Sequence, residues 1–203
     1  MNNLPFEIKS IKCSVKIPSQ CQFELDWVRQ RCLSLNINFT SYPNFLVFST
    51  NIVDSNLPGD YNHKVKYTLF RYSRKSKSEV NNDGQHCNIA GLTKFHHIHP
   101  AIESLANLLQ IDHNQLSCVT DNLNALAKLP TKINKSKFIE SNPQVFQQFE
   151  RFPAIFLKTD SKVVILLYAS GSCVFSGAKT ISQIEEAAKY LWSCFVKYKS
   201  INP

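Results

Sequence analysis

The chain of 203 residues lacks the features of exported and membrane-spanning proteins. It does not begin with a basic stretch followed by an apolar one, so we expect no secretory leader. Its longest apolar run, residues 163–169, is far too short to cross a bilayer and has the length of a buried strand. Its seven cysteines are scattered, without a CxxC pair, so we expect reduced residues of the core. These absences favour the cytosol or the nucleus.

The sequence also lacks the short motifs of enzymes and metal sites. It contains no phosphate-binding glycine loop, nucleophile elbow or paired-carboxylate motif. His96, His97 and His99, with His86 and Cys87 nearby, do not have the spacing of a zinc site. We therefore expect no enzymatic activity, no metal and no cofactor.

An excess of positive charge is present instead. The chain has 23 Lys and Arg against 15 Asp and Glu, a formal charge of +8. Residues 1–110 and residues 111–203 share this excess equally, so it does not come from a tail. Such a balance suits a polyanionic partner, although a basic protein without one is the alternative.

The second half of the chain predicts three strands and a long helix. Residues 151–158 and 162–168 are predicted to be strands. The second of these segments is a β-branched, apolar run, which is typical of a buried strand. A tight turn containing Gly171 leads back into a third strand at residues 173–176. Thr180 then caps a helix whose apolar residues recur at helical spacing.

The first half repeats this order of elements. Its predicted strands are residues 44–48, 64–70 and 87–90. Cys87 and Gly91 are separated by the same three residues as Cys173 and Gly177 in the second half, which favours an internal duplication. We predict two repeats of one α+β domain, residues 1–110 and residues 111–203. The first repeat is predicted to contain two enlarged hairpin loops, around residues 51–63 and 73–84.

Residues 163–179, VVILLYASGSCVFSGAK, closely resemble the second repeat of the TATA-binding protein family. The dipeptide Phe152-Pro153 matches the opening of the preceding strand in that family. The resemblance is strong over residues 150–195, fair over 86–109 and weak elsewhere. It implies a saddle in which two quasi-symmetric repeats form a curved antiparallel sheet with helices on the convex face. The concave face of such a saddle sits on the minor groove of DNA.

The resemblance implies that aromatic wedges enter the DNA at both ends of the site. The family uses a pair of phenylalanines in each repeat, and such wedges unstack a base step and kink the duplex. The matching residues are Phe45 and Phe70 in the first repeat, and Phe152 and Tyr168 in the second. Tyr72 lies on the same predicted strand face as Phe70, so the wedge at this position is either Phe70 or Tyr72.

The resemblance also implies polar contacts to bases at the centre of the site. The family places an Asn in the first strand of each repeat and a Thr before each Gly-Ala-Lys. Asn122 and Ser176 stand at these positions in the second repeat, and Ser10 and Ala90 in the first. Lys12 replaces an apolar residue of the groove floor. We therefore expect weaker base readout by the first repeat and a changed or relaxed TATA preference.

Basic residues beside the strands are expected to neutralise DNA phosphates. Lys158, Lys162 and Lys179 match basic positions of the family in the second repeat. Arg151 adjoins the Phe152 wedge, and Lys94 lies one residue past the lysine expected in the first repeat.

The function that the resemblance implies is that of a general transcription factor. It would bind and bend AT-rich, double-stranded promoter DNA and nucleate assembly of the initiation complex, with a factor IIB-like protein, other initiation factors and the RNA polymerase machinery as partners. It would act in the nucleus, or in a cytoplasmic viral factory or virion if the chain is viral. We expect no association with a membrane. One alternative is a protein-interaction scaffold of the same fold with weak or lost DNA binding. Another is an accessory domain of a nucleic-acid enzyme, although no appended catalytic domain is visible.

Overall fold

The computed structural model describes residues 4–21, 23–53, 62–71, 85–143, 146–148 and 152–202. Most of the two enlarged loops predicted at residues 51–63 and 73–84 falls outside these ranges, and so do Tyr72 and Arg151. The chain forms two compact units, which we call the N-unit (Ile11–Thr120) and the C-unit (Met1–Ser10 with Asp121–Pro203). The predicted repeat boundaries, 1–110 and 111–203, stay a prediction.

The elements of the first half run from β1 to α2. They are β1 (Phe6–Ile17), α1 (Leu25–Ser34), β2 (Phe39–Ser41), β3 (Phe45–Val53), β4 (Asn62–Phe70), β5 (Gln85–Leu92) and α2 (Ile98–Leu109). Short 3-10 turns lie at Ser19–Cys21, Phe95–His97 and His113–Gln115. The strands of the N-unit follow the order β2-β3-β4-β5-β1, and each neighbouring pair is antiparallel.

The elements of the second half repeat this arrangement. They are β6 (Ser117–Lys128), α3 (Lys135–Ser141), β7 (Phe146–Gln148), β8 (Ala154–Lys158), β9 (Val164–Tyr168), β10 (Ser172–Ala178) and α4 (Ile181–Ile201). The strands of the C-unit follow the order β6-β10-β9-β8-β7, again antiparallel. The six strands predicted in the two halves are therefore confirmed, with ends displaced by a few residues.

Helices cover one face of the sheet in each unit. In the N-unit, Val15, Phe48 and Tyr67 point to this side and are almost fully buried, and α1 and α2 both contact β3. In the C-unit, α4 contacts β10 and α3, and its buried side chains recur at helical spacing: Ile184, Ala187, Ala188, Leu191 and Phe195. The helices bury this face of each sheet, and among the described residues no helix covers the other face.

The predicted helix start at Thr180 is confirmed. The Thr180 hydroxyl accepts a hydrogen bond from the backbone N–H of Gln183, and the Gln183 side chain accepts one from the backbone of Thr180. This reciprocal pair satisfies two of the donors that a helix leaves unpaired at its start. Within the described part of the chain, we found no helix with both the length and the apolar character that a bilayer crossing requires.

Gly171 makes the β9–β10 hairpin possible. Its φ is +82°, in the left-handed region, and a Cβ at this position would lie 2.5 Å from the carbonyl oxygen of Thr131. The backbone there is fixed, because Gly171 N–H donates to Tyr168 O and Gly171 O accepts from Leu129 N–H. The turn predicted at this residue is thus confirmed, and only glycine fits it.

We expect Gly171→Ala to lower the free energy of unfolding by at least about 2 kcal/mol, because the new methyl group adds a backbone clash to the cost of a positive φ. Gly177→Ala is the matched control, since Gly177 has φ +90° but its nearest atom to a new Cβ lies at 3.3 Å. Urea denaturation followed by circular dichroism measures both. If the two variants lost the same free energy of unfolding, the clash with the Thr131 carbonyl oxygen would not be the cause of the loss.

Candidate nucleic-acid interface

The uncovered face of the C-unit sheet is largely apolar. Val174 lies in register with Leu166 on one side and Leu126 on the other. We call this side of the sheet the C-face. Its described side chains, half-buried or exposed, are Asn122, Asn124, Leu126, Lys128, Phe156, Lys158, Val164, Leu166, Tyr168, Ser172, Val174 and Ser176, with the apolar ones at the centre and the two lysines at strand ends. A contiguous apolar patch of this kind marks an interaction surface.

The two wedge residues predicted for the second repeat lie at one end of the C-face. Phe152 is 39% exposed, and its ring centroid lies 4.9 Å from that of Phe156. Tyr168 ends β9 and is half-buried, opposite Ala154 at the start of β8. Because Phe152 precedes Ala154 by two residues, both aromatic residues lie at the same end of the β8–β9 pair.

The two wedge residues predicted for the first repeat also lie together. Phe45 and Phe70 are directly opposite in the β3–β4 pair, with ring centroids 5.9 Å apart, and Phe70 is 37% exposed. Tyr42 stacks on Phe45 at 4.4 Å, and sequence reasoning missed it. The register makes Phe45 the counterpart of Ala154, so the Tyr42-Pro43 dipeptide stands near the position of Phe152-Pro153. That repeated aromatic-proline pair was the available signal.

Polar side chains form a connected track beside the apolar part of the C-face. Asn122 Oδ1 accepts a hydrogen bond from Gly177 N–H at 2.7 Å, and Asn122 Nδ2 donates to Asn124 Oδ1 at 3.3 Å. Asn124 Nδ2 donates in turn to Ser10 Oγ at 2.9 Å. The track joins two predicted base contacts, Ser10 and Asn122, to Asn124, which the sequence reasoning missed although it follows Asn122 on the same strand face. Ser176, the third predicted contact, is half-buried opposite Val164.

The uncovered face of the N-unit sheet is polar and basic. Four exposed lysines lie on it, two from β1 and two from β4: Lys12, Lys16, Lys64 and Lys66. We call this side the N-face. Its other members are Ser14, Phe45, Val47, Ser49, Asn51, Thr68, Phe70, His86, Asn88 and Ala90. None of these described members is acidic, so the charge of the N-face is positive.

The registers of the two sheets allow the faces to be compared position by position. Asn88 lies in register with Ser14 and Thr68, as Val174 lies in register with Leu126 and Leu166. The apolar residues Leu126, Val164, Leu166 and Val174 thus correspond to Ser14, Lys66, Thr68 and Asn88, in that order. The sequence reasoning identified none of these four N-face residues; the lysine that it singled out, Lys12, is the counterpart of the polar Asn124.

The lysines predicted to contact phosphates in the second repeat lie at the other end of the C-unit sheet. Lys158 ends β8, Lys162 lies in the β8–β9 hairpin with φ 66°, and Lys179 follows β10. All three are exposed. The aromatic pair and these lysines therefore lie at opposite ends of the C-unit sheet. Lys94, predicted for the first repeat, is exposed after β5.

Comparisons with known proteins match the second half of the chain. The family model described as transcription factor TFIID, or TATA-binding protein, matches residues 118–198. The TATA-box-binding protein of Thermococcus celer is 36% identical over 72 residues, which are 35% of this chain and 38% of the relative. That of Pyrococcus furiosus is 31% identical over 94 residues, 44% of this chain and 49% of the relative. The matches thus span less than half the length of these curated relatives.

Residues 118–198 therefore resemble a repeat of the TATA-binding proteins. The resemblance inferred from residues 163–179 is confirmed. A solved structure, the TATA-binding protein of Methanococcus jannaschii, is similar over 96% of this chain and 98% of its own, with a TM-score of 0.69 and 21% identity. This similarity confirms the predicted fold class for the whole chain, the α+β saddle fold of the TATA-binding proteins.

The family repeat contains the strands β6, β8, β9 and β10, which form the C-face. The N-face lies outside the matched residues. The part of the chain that has kept the sequence of TATA-binding proteins is therefore the part whose uncovered face is apolar.

The cysteines of the core are poorly suited to nucleophilic chemistry. Burial raises the pKa of the Cys32 thiol to about 11 and that of Cys173 to about 12, and it raises the pKa of Cys87 as well. These thiols are therefore protonated at neutral pH, whereas the reactive form of cysteine is the thiolate. The predicted role of the cysteines as core residues is confirmed for five of the seven, while Cys21 and Cys118 are half-buried.

We expect at most two of the seven thiols to react with Ellman's reagent within minutes in the native chain at neutral pH, because Cys21 and Cys118 are half-buried whereas the other five are buried. All seven should react in guanidinium chloride, which serves as the control. Absorbance at the thiolate product band gives the count. Rapid labelling of a third native thiol would contradict the burial described.

Proposed function

We propose that the chain is a TATA-binding-protein-like transcription factor that binds AT-rich promoter DNA through the minor groove. The observation that carries the proposal is the C-face, which joins an apolar sheet surface, an Asn track and an aromatic pair within a repeat of this family. The curated relatives are named TATA-box-binding proteins.

The chemistry of the C-face suits the minor groove. A·T and T·A pairs present only acceptors there, whereas G·C pairs add the amino group of guanine. An amide N–H of Asn122 or Asn124 would donate to these acceptors. Leu166 and Val174 would pack on the groove floor, where a guanine amino group would lose its hydrogen bonds to water. The surface would thus favour AT-rich sequence by contact and by shape.

The aromatic pair would bend the DNA. Inserting apolar side chains between base steps kinks a duplex by tens of degrees. Phe152 is already exposed and supported by Phe156, so its ring needs little ordering on binding. Tyr168, at the same end of the sheet, would enter the same step or its neighbour.

The N-unit would contribute mainly by electrostatic attraction. Its four exposed lysines would contact phosphates, and such contacts fix position without reading sequence. Phe45 and Phe70, with Tyr42, would form the second wedge. The two halves of the chain would therefore hold the DNA with different chemistry.

Assembly of the initiation complex is the further step of the proposal. The bent DNA and the helices on the covered faces would seat a factor IIB-like protein and other initiation factors, which then engage the polymerase. This step is supported by the resemblance to the family. In this proposal the protein would act in the nucleus, or in a cytoplasmic viral factory or virion if the chain is viral.

A scaffold that binds protein through the same fold is the second candidate. The observation that favours it is the polar character of the N-face, where Lys66, Thr68 and Asn88 stand at positions that are apolar on the C-face. In that case the chain would bind DNA weakly or not at all.

Bending of an AT-rich duplex labelled at both ends tests the wedge assignment. We expect the chain to shorten the end-to-end distance, measured by energy transfer, and Phe152→Ala with Tyr168→Ala to lose a large part of the bend because one kink is missing. Tyr190→Ala is the matched control, since Tyr190 is an aromatic residue on α4 that is 38% exposed.

Two results would count against this proposal. Full bending by the double variant would show that Phe152 and Tyr168 are not the wedges. The absence of any bending or salt-sensitive binding by the unaltered chain would favour the scaffold.

Replacing Lys12, Lys16, Lys64 and Lys66 by Gln tests the role of the N-face. Each phosphate contact contributes about 0.9 to the slope of log affinity against log salt, so we expect the slope to fall by about 2 to 4. The affinity for AT-rich and for GC-rich duplexes should fall alike. Fluorescence anisotropy at several salt concentrations measures both effects.

The control for charge replaces four exposed lysines of α3 and α4 by Gln: Lys137, Lys189, Lys197 and Lys199. This control should leave the slope nearly unchanged. An unchanged slope in the N-face variant, or a loss confined to AT-rich DNA, would disprove the electrostatic role of that face.

A further inference from the structure

Three side chains of metal-binding type meet on the N-unit, beside the N-terminal half of α2. His99 and Glu103 are one helical turn apart on α2, and His113 lies in the 3-10 turn that follows the helix. One ligand atom from each lies within 4.8 Å of the other two. The sequence reasoning considered His99 with His96, His97, His86 and Cys87 and did not include His113.

One distance within this cluster matches that of a coordination sphere, and the other two lie within 4.8 Å. His99 Nε2 lies 3.2 Å from Glu103 Oε1, and two ligands bound to a tetrahedral zinc ion at about 2.0–2.1 Å are separated by roughly 3.3 Å. The rings of His99 and His113 have centroids 5.4 Å apart and planes at 78°. Binding one ion through all three side chains requires the partly exposed His113 ring to move closer to the His99–Glu103 pair.

The chain reversal after α2 fixes His113 in this place. Gln110 adopts a left-handed conformation with φ 56°, and Ile111 N–H donates back to Ala106 O at 3.1 Å. Asp112 then begins the 3-10 turn by accepting a hydrogen bond from Asn114 N–H at 2.9 Å. These backbone contacts hold His113 beside α2 without any metal.

The surroundings of the cluster leave room for an ion. Glu103, Asp112 and His113 line a surface cavity of about 270 Å³, and His99 lies outside this lining. Asp112 Oδ1 also lies 3.7 Å from His113 Nδ1.

We propose that His99, Glu103 and His113 bind a zinc ion. Two imidazole nitrogens and one carboxylate oxygen are a ligand set that zinc prefers, and with three protein ligands the fourth position holds water. The ion ties the turn at residues 110–115 to α2, so it stiffens the connection that leads from α2 into β6. The site stands apart from the N-face and does not depend on DNA binding.

Calorimetric titration of the full chain with zinc chloride, after treatment with a chelator and without DNA, tests the proposal. We expect one saturable site. His99→Ala, Glu103→Gln and His113→Ala should each weaken the affinity at least about tenfold, since even residues that only orient ligands contribute 10- to 100-fold. His96→Ala is the matched control, because His96 is an exposed histidine close to His99 outside the cluster, and it should bind zinc as the unaltered chain does.

A second readout separates coordination from weak association with a surface histidine. Co²⁺ in place of zinc should give the visible absorption of a tetrahedral site, and zinc should raise the unfolding midpoint of the chain, since a ligand stabilises the state that binds it. The His99→Ala and His113→Ala double variant should show neither effect. Absence of saturable binding, or equal affinity in the double variant, would overturn the site and leave an ion pair between His99 and Glu103.

Discussion

In both units, side chains alternate between the two faces of the antiparallel strands. Every second residue therefore lies on the face beneath the helices, where it must pack in the core. On that face of the N-unit, Tyr67 stacks on Phe48 at 4.9 Å and donates a hydrogen bond to Ala101 O of α2 at 3.0 Å. Such contacts fix the register of the strands, because a slip by one residue would bring lysines into the core. The register then decides which residues share the uncovered face, so the core positions the candidate site without contacting it.

This separation explains how one fold holds two different surfaces. The buried face must stay apolar in both units, whereas the uncovered face is free to change without loss of the fold. The C-face has kept Leu166 and Val174 at positions where the N-face carries Thr68 and Asn88. An apolar surface suits the floor of a groove, and a lysine-bearing one suits the phosphates on either side of it. Binding by the N-unit would therefore vary more with salt than with sequence.

The fold of the second half could be predicted from the sequence, since its signals are local. The β-branched run before Tyr168, the glycine turn and the cap at Thr180 each act over a few residues. The character of the N-face could not be predicted, because Lys66 and Asn88 gain their meaning only from the pairing of β4 with β5 and of β5 with β1. Asn124 was overlooked for the same reason, since its partner Ser10 is 114 residues away along the chain. His113 joins His99 only through the chain reversal after α2.

The central claim is that the two halves of the chain hold DNA with different chemistry. It is tested most directly by measuring affinity for duplexes in which the A·T pairs of one half of the bound site, and then of the other, are replaced by G·C pairs. Inosine·C pairs, which lack the amino group of guanine in the minor groove, serve as the reference. The account predicts that G·C pairs lower the affinity at least tenfold in one half and little in the other. Equal losses in both halves would contradict it.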